Sequence, residues 1–512
     1  MFANLIASAK VVLMKLGLIR QINSVTQFSA VQESEEQYNR IEAWKALYHG
    51  YLGEYDGVPF HDTHWTDAQG VKHKRRRASM KMAKVLAEQM ASLVFNEKCA
   101  INVSTAGKES NAPDPIADLI RKILDDNRFE KRFQNNLEFG FAMGGFVIKP
   151  YYDDGIKITF VTADSFLPTQ TTNDEIQAGV FLNETRKGDK YYTLLEWHDW
   201  EGSTYVIRNE LYQSTTANDL GTKVPLSVLY PDLEEKVTIE GLTHPLFVYI
   251  KPNIANNFEP DSPLGISIYA NAIDTLKSLD IAFDSFQREF TLGKRRIMVP
   301  HTAIRTVVDP QTGELRRYFD VNDEAYISYA SASDDAKIEQ MADNLRVEEH
   351  ISAINALLNI LASQTGFSAG TFAFTGGATV QTATQVISEN SQTFRTKNSH
   401  ETLIEAGIKE LIDVILQLLV LYGELKEIPD IEVTVDFDDS IAEDRQSNAT
   451  YYSGLVSQGL MPKVRAIMRI FDLPEEEARK WLEEIKAEQS TVTPEMVDLF
   501  GTNTNNNQGA GA

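Results

Sequence analysis

The 512-residue chain has one cysteine, Cys99, so neither an intrachain disulfide nor a multi-thiolate zinc site can form. One thiol in a chain this long fits a reducing compartment. Long apolar runs are missing too. Lys10 and Lys15 interrupt the N-terminal stretch, whose longest clean run, Val11 to Met14, is far short of a signal-peptide core. Leu411 to Tyr422 carries Asp413 and Gln417 and is too short to span a bilayer, so no membrane segment and no secretion signal are expected. Positive charge is scarce: 49 basic side chains face 73 acidic ones, a net charge of -24. Such a chain should be soluble and should repel polyphosphate at long range. A tight non-specific DNA binder would carry the opposite sign, because its affinity comes from neutralising phosphates.

Local catalytic signatures are equally scarce. Gly107-Lys108-Glu109 lacks the hydroxyl of a P-loop, and no H-E-x-x-H, G-x-S-x-G or C-x-x-C occurs. His61 and His64 flank Asp62-Thr63 beside Pro59, in what reads as a surface loop with no third ligand near. No metal, cofactor or catalytic residue is therefore assigned. The 73 acidic residues allow many carboxylate pairs, and the sequence does not choose among them.

What is present is an ordinary folded composition, 43% hydrophobic and 10% aromatic, in an α+β order. Residues 1 to about 135 read mainly as helices, with Leu86, Met90, Leu93 and Val94 on one face and Ile116, Leu119, Ile120, Ile123 and Leu124 on another. Asp114-Pro115 starts the second of these. From 139 to 260 the pattern turns to strands, with Asp153-Asp154-Gly155 and Glu201-Gly202-Ser203 as hairpin turns between β-prone runs.

Ser262-Pro263 reads as a helix start, followed by Ile266, Tyr269, Ile273, Leu276, Leu279, Phe283, Phe286 and Phe290 at helical spacing. One helix over 263–291 would be roughly 40 Å long at about 1.5 Å per residue. Its aromatic stripe reads as a packing seam. A second helix is expected over 343–363, with Gly366 placed as its C-terminal cap. Between them, Ile297 to Val299 and Arg316 to Val321 are β-prone, around a turn at 309–313. Residues 291–320 hold six basic side chains and three acidic ones, a surplus of positive charge in an acidic chain. A helix going out, a small basic cap and a helix returning describe a projecting stalk.

The glycine-rich stretch 366–379 lacks a lysine and follows a helix, so flexibility explains it better than phosphate binding. A long helix is expected over 380–422 and one alternating strand over 431–437. Helices follow from 441 to 489, broken at Gly459 and Pro462 and again at Asp472-Leu473-Pro474; the polar tail 502–512 cannot fold. The basic run Lys72 to Arg77 reads as a solvated lead-in to the next helix or a salt-bridge partner between subunits.

In this order the segments FGFAMGGFVIKPYYDDG (139–155), YYTLLEWHDWEGSTYVIRNELYQS (191–214), SPLGISIYANAIDTLKSLDIAFDSFQREFTLGKRRIMV (262–299), TATQVISENSQTF (382–394) and FDDSIAEDRQSNATYYSGLVSQGLMPKVRAIMRIF (437–471) resemble the portal proteins of tailed bacteriophages, the long-tailed type above all. The resemblance implies the portal fold: a β-rich and helical wing (1–261), a two-helix stem (262–291 and 343–365), a small α/β clip (292–342), a tunnel loop (366–379), a long kinked wing helix (380–422), a helical crown (423–489) and a flexible tail (490–512). It implies a ring of about twelve copies at one capsid vertex. That ring would be a non-enzymatic channel for packaging and ejecting double-stranded DNA, assembled in the host cytoplasm and resident in the virion. Its implied partners are the terminase motor, which hydrolyses the ATP, the head–tail adaptor, and the major capsid and scaffold proteins.

Thr375, Gly376, Gly377, Ala378 and Thr379 are then the DNA-facing loop residues. Asp274, Asp280 and Asp284, on the polar side of the first stem helix, are candidates for the channel wall, where acidic side chains would lower affinity for phosphate. Lys294, Arg295, Arg296, Arg316 and Arg317 are the clip residues expected to meet acidic partners or DNA. Two rival classes predict something else. An oligomeric scaffold or adaptor that does not conduct DNA would have no axial channel, and a multidomain enzyme would be a monomer or small oligomer.

Overall fold

Asp114 and Pro115 begin a helix for the reason their order implies. The Asp114 carboxylate accepts from the backbone N–H of Ile116 and Ala117, and proline fills the first turn where no donor is needed. The computed structural model describes residues 35–50, 62–66, 70–106, 113–172, 175–217, 219–293, 296–300, 306–308, 315–317, 326–329, 339–341, 344–373, 391–437, 445–471, 473 and 475–491. These divide into two units, one built from residues up to 373 together with 391–437, the other from 445–491.

The first unit opens with α1 (Glu35–His49), then β1 (Asp62–Thr66) and β2 (Lys72–Arg76), α2 (Met82–Val94), β3 (Ala100–Thr105), α3 (Pro115–Asp126) and α4 (Phe129–Met143). The expected run of helices is there, but a hairpin interrupts it. His64, read as part of a loop, lies in β1 opposite Lys74, and the basic run is the paired strand β2. Among the described residues no group of three or more His, Cys, Asp or Glu is arranged to hold a metal.

The strand region follows the alternation in its sequence. β4 (Phe146–Tyr152) and β5 (Ile156–Thr162) form a hairpin, and β12 (Val248–Ile250) adds to the other edge of β4. In between, β6 (Phe166–Thr172), β7 (Glu175–Lys187), β8 (Lys190–Glu201) and β9 (Thr204–Ser214) make an antiparallel meander, to which β10 (Thr222–Val224) and β11 (Lys236–Ile239) both pair along β9. Inward-pointing Phe166, Phe181, His198 and Phe247 meet edge to face or tilted, with centroids 5.0–5.8 Å apart.

The helix expected to start at Pro263 starts later. After a 3-10 turn at Ala270–Ala272, α5 runs from Ile273 to Leu292, 20 residues or about 30 Å. The preceding residues satisfy their backbone elsewhere: Ile268 N–H donates to Phe141 C=O, and the Gly265 N–H to the Tyr249 hydroxyl. Ile266 and Tyr269, on the expected stripe, are buried as an extended, turned segment against α4. Tertiary contacts outweigh helical periodicity here.

Past α5 come β13 (Arg296–Pro300), β14 (Thr306–Val308), β15 (Leu315–Arg317), β16 (Tyr326–Tyr329) and β17 (Glu339–Met341). β13 pairs parallel with β16 and antiparallel with β17, while β14 and β15 form a separate hairpin. The expected turn at 309–313 lies outside the described residues, and the described part of this cap contains strands only. The chain returns in α6 (Val347–Gln364), one turn later than expected, and Gly366 caps it at φ +82°.

The described part of the long helix is α7 (Ser391–Leu421). Its second half buries Ile404, Ile408, Leu411, Ile415 and Leu418, each contributing about 2 kcal/mol of apolar transfer. β18 (Ile431–Asp436) then pairs antiparallel with β3, Ile431 opposite Thr105 and Asp436 opposite Ala100. β18 thus belongs to the first unit and the C-terminal helices to the second. The second unit contains α8 (Arg445–Ser457), α9 (Lys463–Phe471) and α10 (Glu475–Thr491), separated where Gly459, Pro462 and Leu473 stand. Phe471 and Trp481 pack across the last break, with centroids 5.2 Å apart.

Candidate functional site

α5 and α6 lie antiparallel. Near the start of α5 the Thr275 hydroxyl donates to Gln364 near the end of α6, at 2.7 Å. At the other end Arg346 makes a two-pronged contact with Glu289, at 2.9 and 3.1 Å, and His350 packs on Phe286. The Arg346 hydrogen bonds hold the Glu289 carboxyl down at about 2. Leu276, Leu279, Ile354, Leu358 and Leu361 are buried in the main core. Burial then fades along α5: Phe283 and Phe286 are half-buried, Phe290 is 45% exposed and Leu292 58%. The pair is rooted in the core, leaves it, and carries the stranded cap between its far ends.

The three wall candidates do not form one solvated face. Asp274 is exposed. Asp284 accepts both guanidinium prongs of Arg75, at 2.8 and 2.6 Å, and the Ala78 N–H at 3.1 Å. Asp280 accepts the Met80 N–H at 3.0 Å. Both are buried under residues 75–80 of their own subunit, and Arg75 holds the Asp284 carboxyl below the usual range. The helical wheel sets Asp274, Asp280 and Asp284 off the apolar stripe. It could not show that the basic run, more than 200 residues away in sequence, covers that side.

Of the cap residues, Arg296 lies in β13 opposite Met341, whereas Arg316 and Arg317 lie in β15 opposite Val307 and Thr306. They therefore belong to different sheets. Lys294, Arg295 and the loop residues Thr375, Gly376, Gly377, Ala378 and Thr379 lie outside the described residues.

Two polar clusters elsewhere escaped sequence reading. In the strand region, Lys149 Nζ contacts Glu196 at 2.5 Å, Glu196 meets His198 Nε2 at 2.8 Å, and His198 Nδ1 meets the Tyr205 hydroxyl at 2.8 Å. Tyr205 accepts from Leu246 N–H, so its own proton goes to Nδ1 and the imidazole donates from Nε2 to Glu196. Burial lowers the His198 pKa, in keeping with a neutral ring. The two-residue spacing of Glu196 and His198 in a strand was the available signal. These side chains brace three strands, with their polar atoms directed at one another.

The second cluster lines a cleft of about 440 Å³ with Glu175, His244, Lys409, Glu410 and Asp413. Burial, with Glu175 and Asp413 adding repulsion, pushes the Glu410 carboxyl up to about 7. A carboxyl raised on folding contributes stability below its ordinary value of 4.5, and that contribution is lost as pH rises through about 7. Glu410→Gln should therefore raise the thermal unfolding midpoint at pH 8 by an amount worth about 1–2 kcal/mol and change little at pH 5. Equal shifts at both pH values would contradict the assignment.

The family model for the phage portal protein, SPP1 Gp6-like, matches residues 29–491. The chain belongs to that family, whose members are structural proteins that form oligomeric rings in phage capsids. Among curated proteins, none matches the chain significantly. No helix among the described residues is long and apolar enough to cross a membrane.

Proposed function

We propose that copies of this chain close into a ring at one capsid vertex, through which double-stranded DNA passes during packaging and ejection. The ring also serves as the platform on which the packaging motor and the head–tail adaptor dock. The observation that carries this reading is the helix pair α5–α6, buried at its root and bare toward its capped end. Ile281, Phe290, Leu292, Leu345 and Ile360 are exposed along it, the kind of apolar surface that a neighbouring copy covers.

In this reading the stem is α5 with α6, the clip is the stranded cap of 296–341, the wing is the rest of the first unit, and the crown is the α8–α10 unit. The segment 366–379 is the tunnel loop, with 375–379 as its DNA-facing residues. Asp274 is the stem aspartate left to face the channel, and the acidic character of the chain keeps DNA from being held as it slides. The clip arginines Arg296, Arg316 and Arg317, with Lys294 and Arg295, meet acidic surfaces of the motor or adaptor.

Purified protein viewed by electron microscopy, with its mass measured, tests the reading. A ring of about twelve 57.5 kDa copies approaches 0.7 MDa and shows an axial hole. A monomer, a small oligomer or an assembly without a channel overturns it.

A further inference from the structure

A cleft of about 380 Å³ lies between the β1–β2 hairpin and the stem, lined by Arg75, Arg77, Arg288 and Arg346 together with His350, Asp284 and Glu289. Four guanidinium groups thus face two carboxylates in a chain whose net charge is -24. The two carboxylates are already engaged, Asp284 by Arg75 and Glu289 by Arg346. Arg288 is exposed and has no hydrogen-bonded or ion-paired partner among the described residues. Arg288 therefore sets a positive charge at the outer half of the stem, where the acidic balance of the chain would predict the reverse.

We propose that this cleft is one half of a subunit contact, and that it receives the Glu348 carboxylate of the next copy. A ring is built from head-to-tail contacts, so the face bearing the cleft must meet a different face of its neighbour. Rotation about the ring axis preserves height, so the partner acid has to sit at the level of the cleft. Glu348 meets both conditions. It stands in the first turn of α6 between Arg346 and His350, two residues from each. At about 100° per residue that puts it on the opposite side of the helix from those two cleft residues. It is exposed and has no partner among the described residues. Opposite faces of one stem thus carry opposite charge at one height. The Arg75–Asp284 contact gains a second role, since it holds the hairpin in place as one wall of the cleft.

This pairing presupposes the ring proposed above, and one experiment separates the two. Wild-type protein, Arg288→Glu, Arg288→Gln, Glu348→Arg and the double variant Arg288→Glu/Glu348→Arg are purified and their ring fraction is measured by mass photometry at two salt concentrations. Circular dichroism checks that each folds. A wild-type sample without rings sinks the ring reading itself. Given wild-type rings, Arg288→Glu and Glu348→Arg should each lower the ring fraction at least about tenfold, because a small loss is repeated at every contact. Arg288→Gln should lower it less, and the double variant should restore it. The wild-type contact should also weaken with salt, as exposed ion pairs do. Unchanged rings in Arg288→Glu overturn the pairing. Failure of the double variant to recover overturns Glu348 as the partner. Intact rings that retain a DNA fragment less well would assign the cleft to phosphate and overturn the proposal.

Discussion

Gly144→Ala and Gly265→Ala are each expected to destabilise the first unit by about 4 kcal/mol or more. Gly144 ends α4 at φ +91°, and a Cβ there would stand 2.6 Å from the Gly265 carbonyl oxygen. From the other side, a Cβ on Gly265 would stand 2.3 Å from the Gly144 carbonyl oxygen and 2.8 Å from Lys251 Cβ. The obstacle is backbone, which cannot swing away as a side chain can. The Tyr249 hydroxyl ties the two strands of this junction, accepting from Gly265 N–H at 3.2 Å and donating to Gly144 C=O at 3.3 Å. Separating the strands to admit a methyl group would break both bonds and move the segment that leads into α5. Gly202 is the control. Its φ is +70° with nothing near the added Cβ, so alanine there costs only the left-handed backbone, about 1 kcal/mol. Thermal unfolding followed by tryptophan fluorescence reads all three. Gly144 and Gly265 variants melting with Gly202→Ala would show that the close approach is not real.

Glu401→Ala is expected to lose about 3–5 kcal/mol, whereas Lys397→Met combined with Glu401→Leu should stay within about 1 kcal/mol of the parent. Lys397 is 3% exposed and Glu401 9%, and their charged atoms lie 2.6 Å apart on one turn of α7. Removing Glu401 takes away the carboxylate that lies 2.6 Å from the buried Lys397 ammonium. Removing both replaces ions by apolar volume and takes away the desolvation penalty as well. The double variant melting as low as Glu401→Ala would mean that the ion pair itself supplies net stability.

This pair also shows why a sequence is harder to read in α7 than in neighbouring elements. The stripe Ile404, Ile408, Leu411, Ile415 and Leu418 announces a buried helix face. The same face continues toward the N-terminus through Thr393, Lys397 and His400, residues that a periodicity argument places in solvent. They are buried because specific partners await them: Thr393 exchanges hydrogen bonds with Ser368, and His400 Nδ1 accepts from Asn253 N–H. Burial pushes the His400 pKa down to about 4. A polar residue in a core depends on a partner distant in sequence, and no local pattern records it.

Elements governed by their own residues were legible. The cap at Asp114, the turns at Asp153–Gly155 and Glu201–Ser203, the three C-terminal helices and the amphipathic helices α5 and α6 follow from periodicity, capping and turn chemistry within short windows. Charge was legible in the same way, as a sum over residues. What only the tertiary structure decided was where such patterns stop applying. The backbone of 262–269 bonds to α4 and Tyr249 and so unwinds a helix that its stripe favours. Strand 431–436 joins β3 across more than 300 residues, and Arg75 closes over Asp284, turning an expected channel-facing carboxylate into an internal tie. In each case the deciding energy lies in a contact between distant segments, a quantity that exists only once the chain is folded.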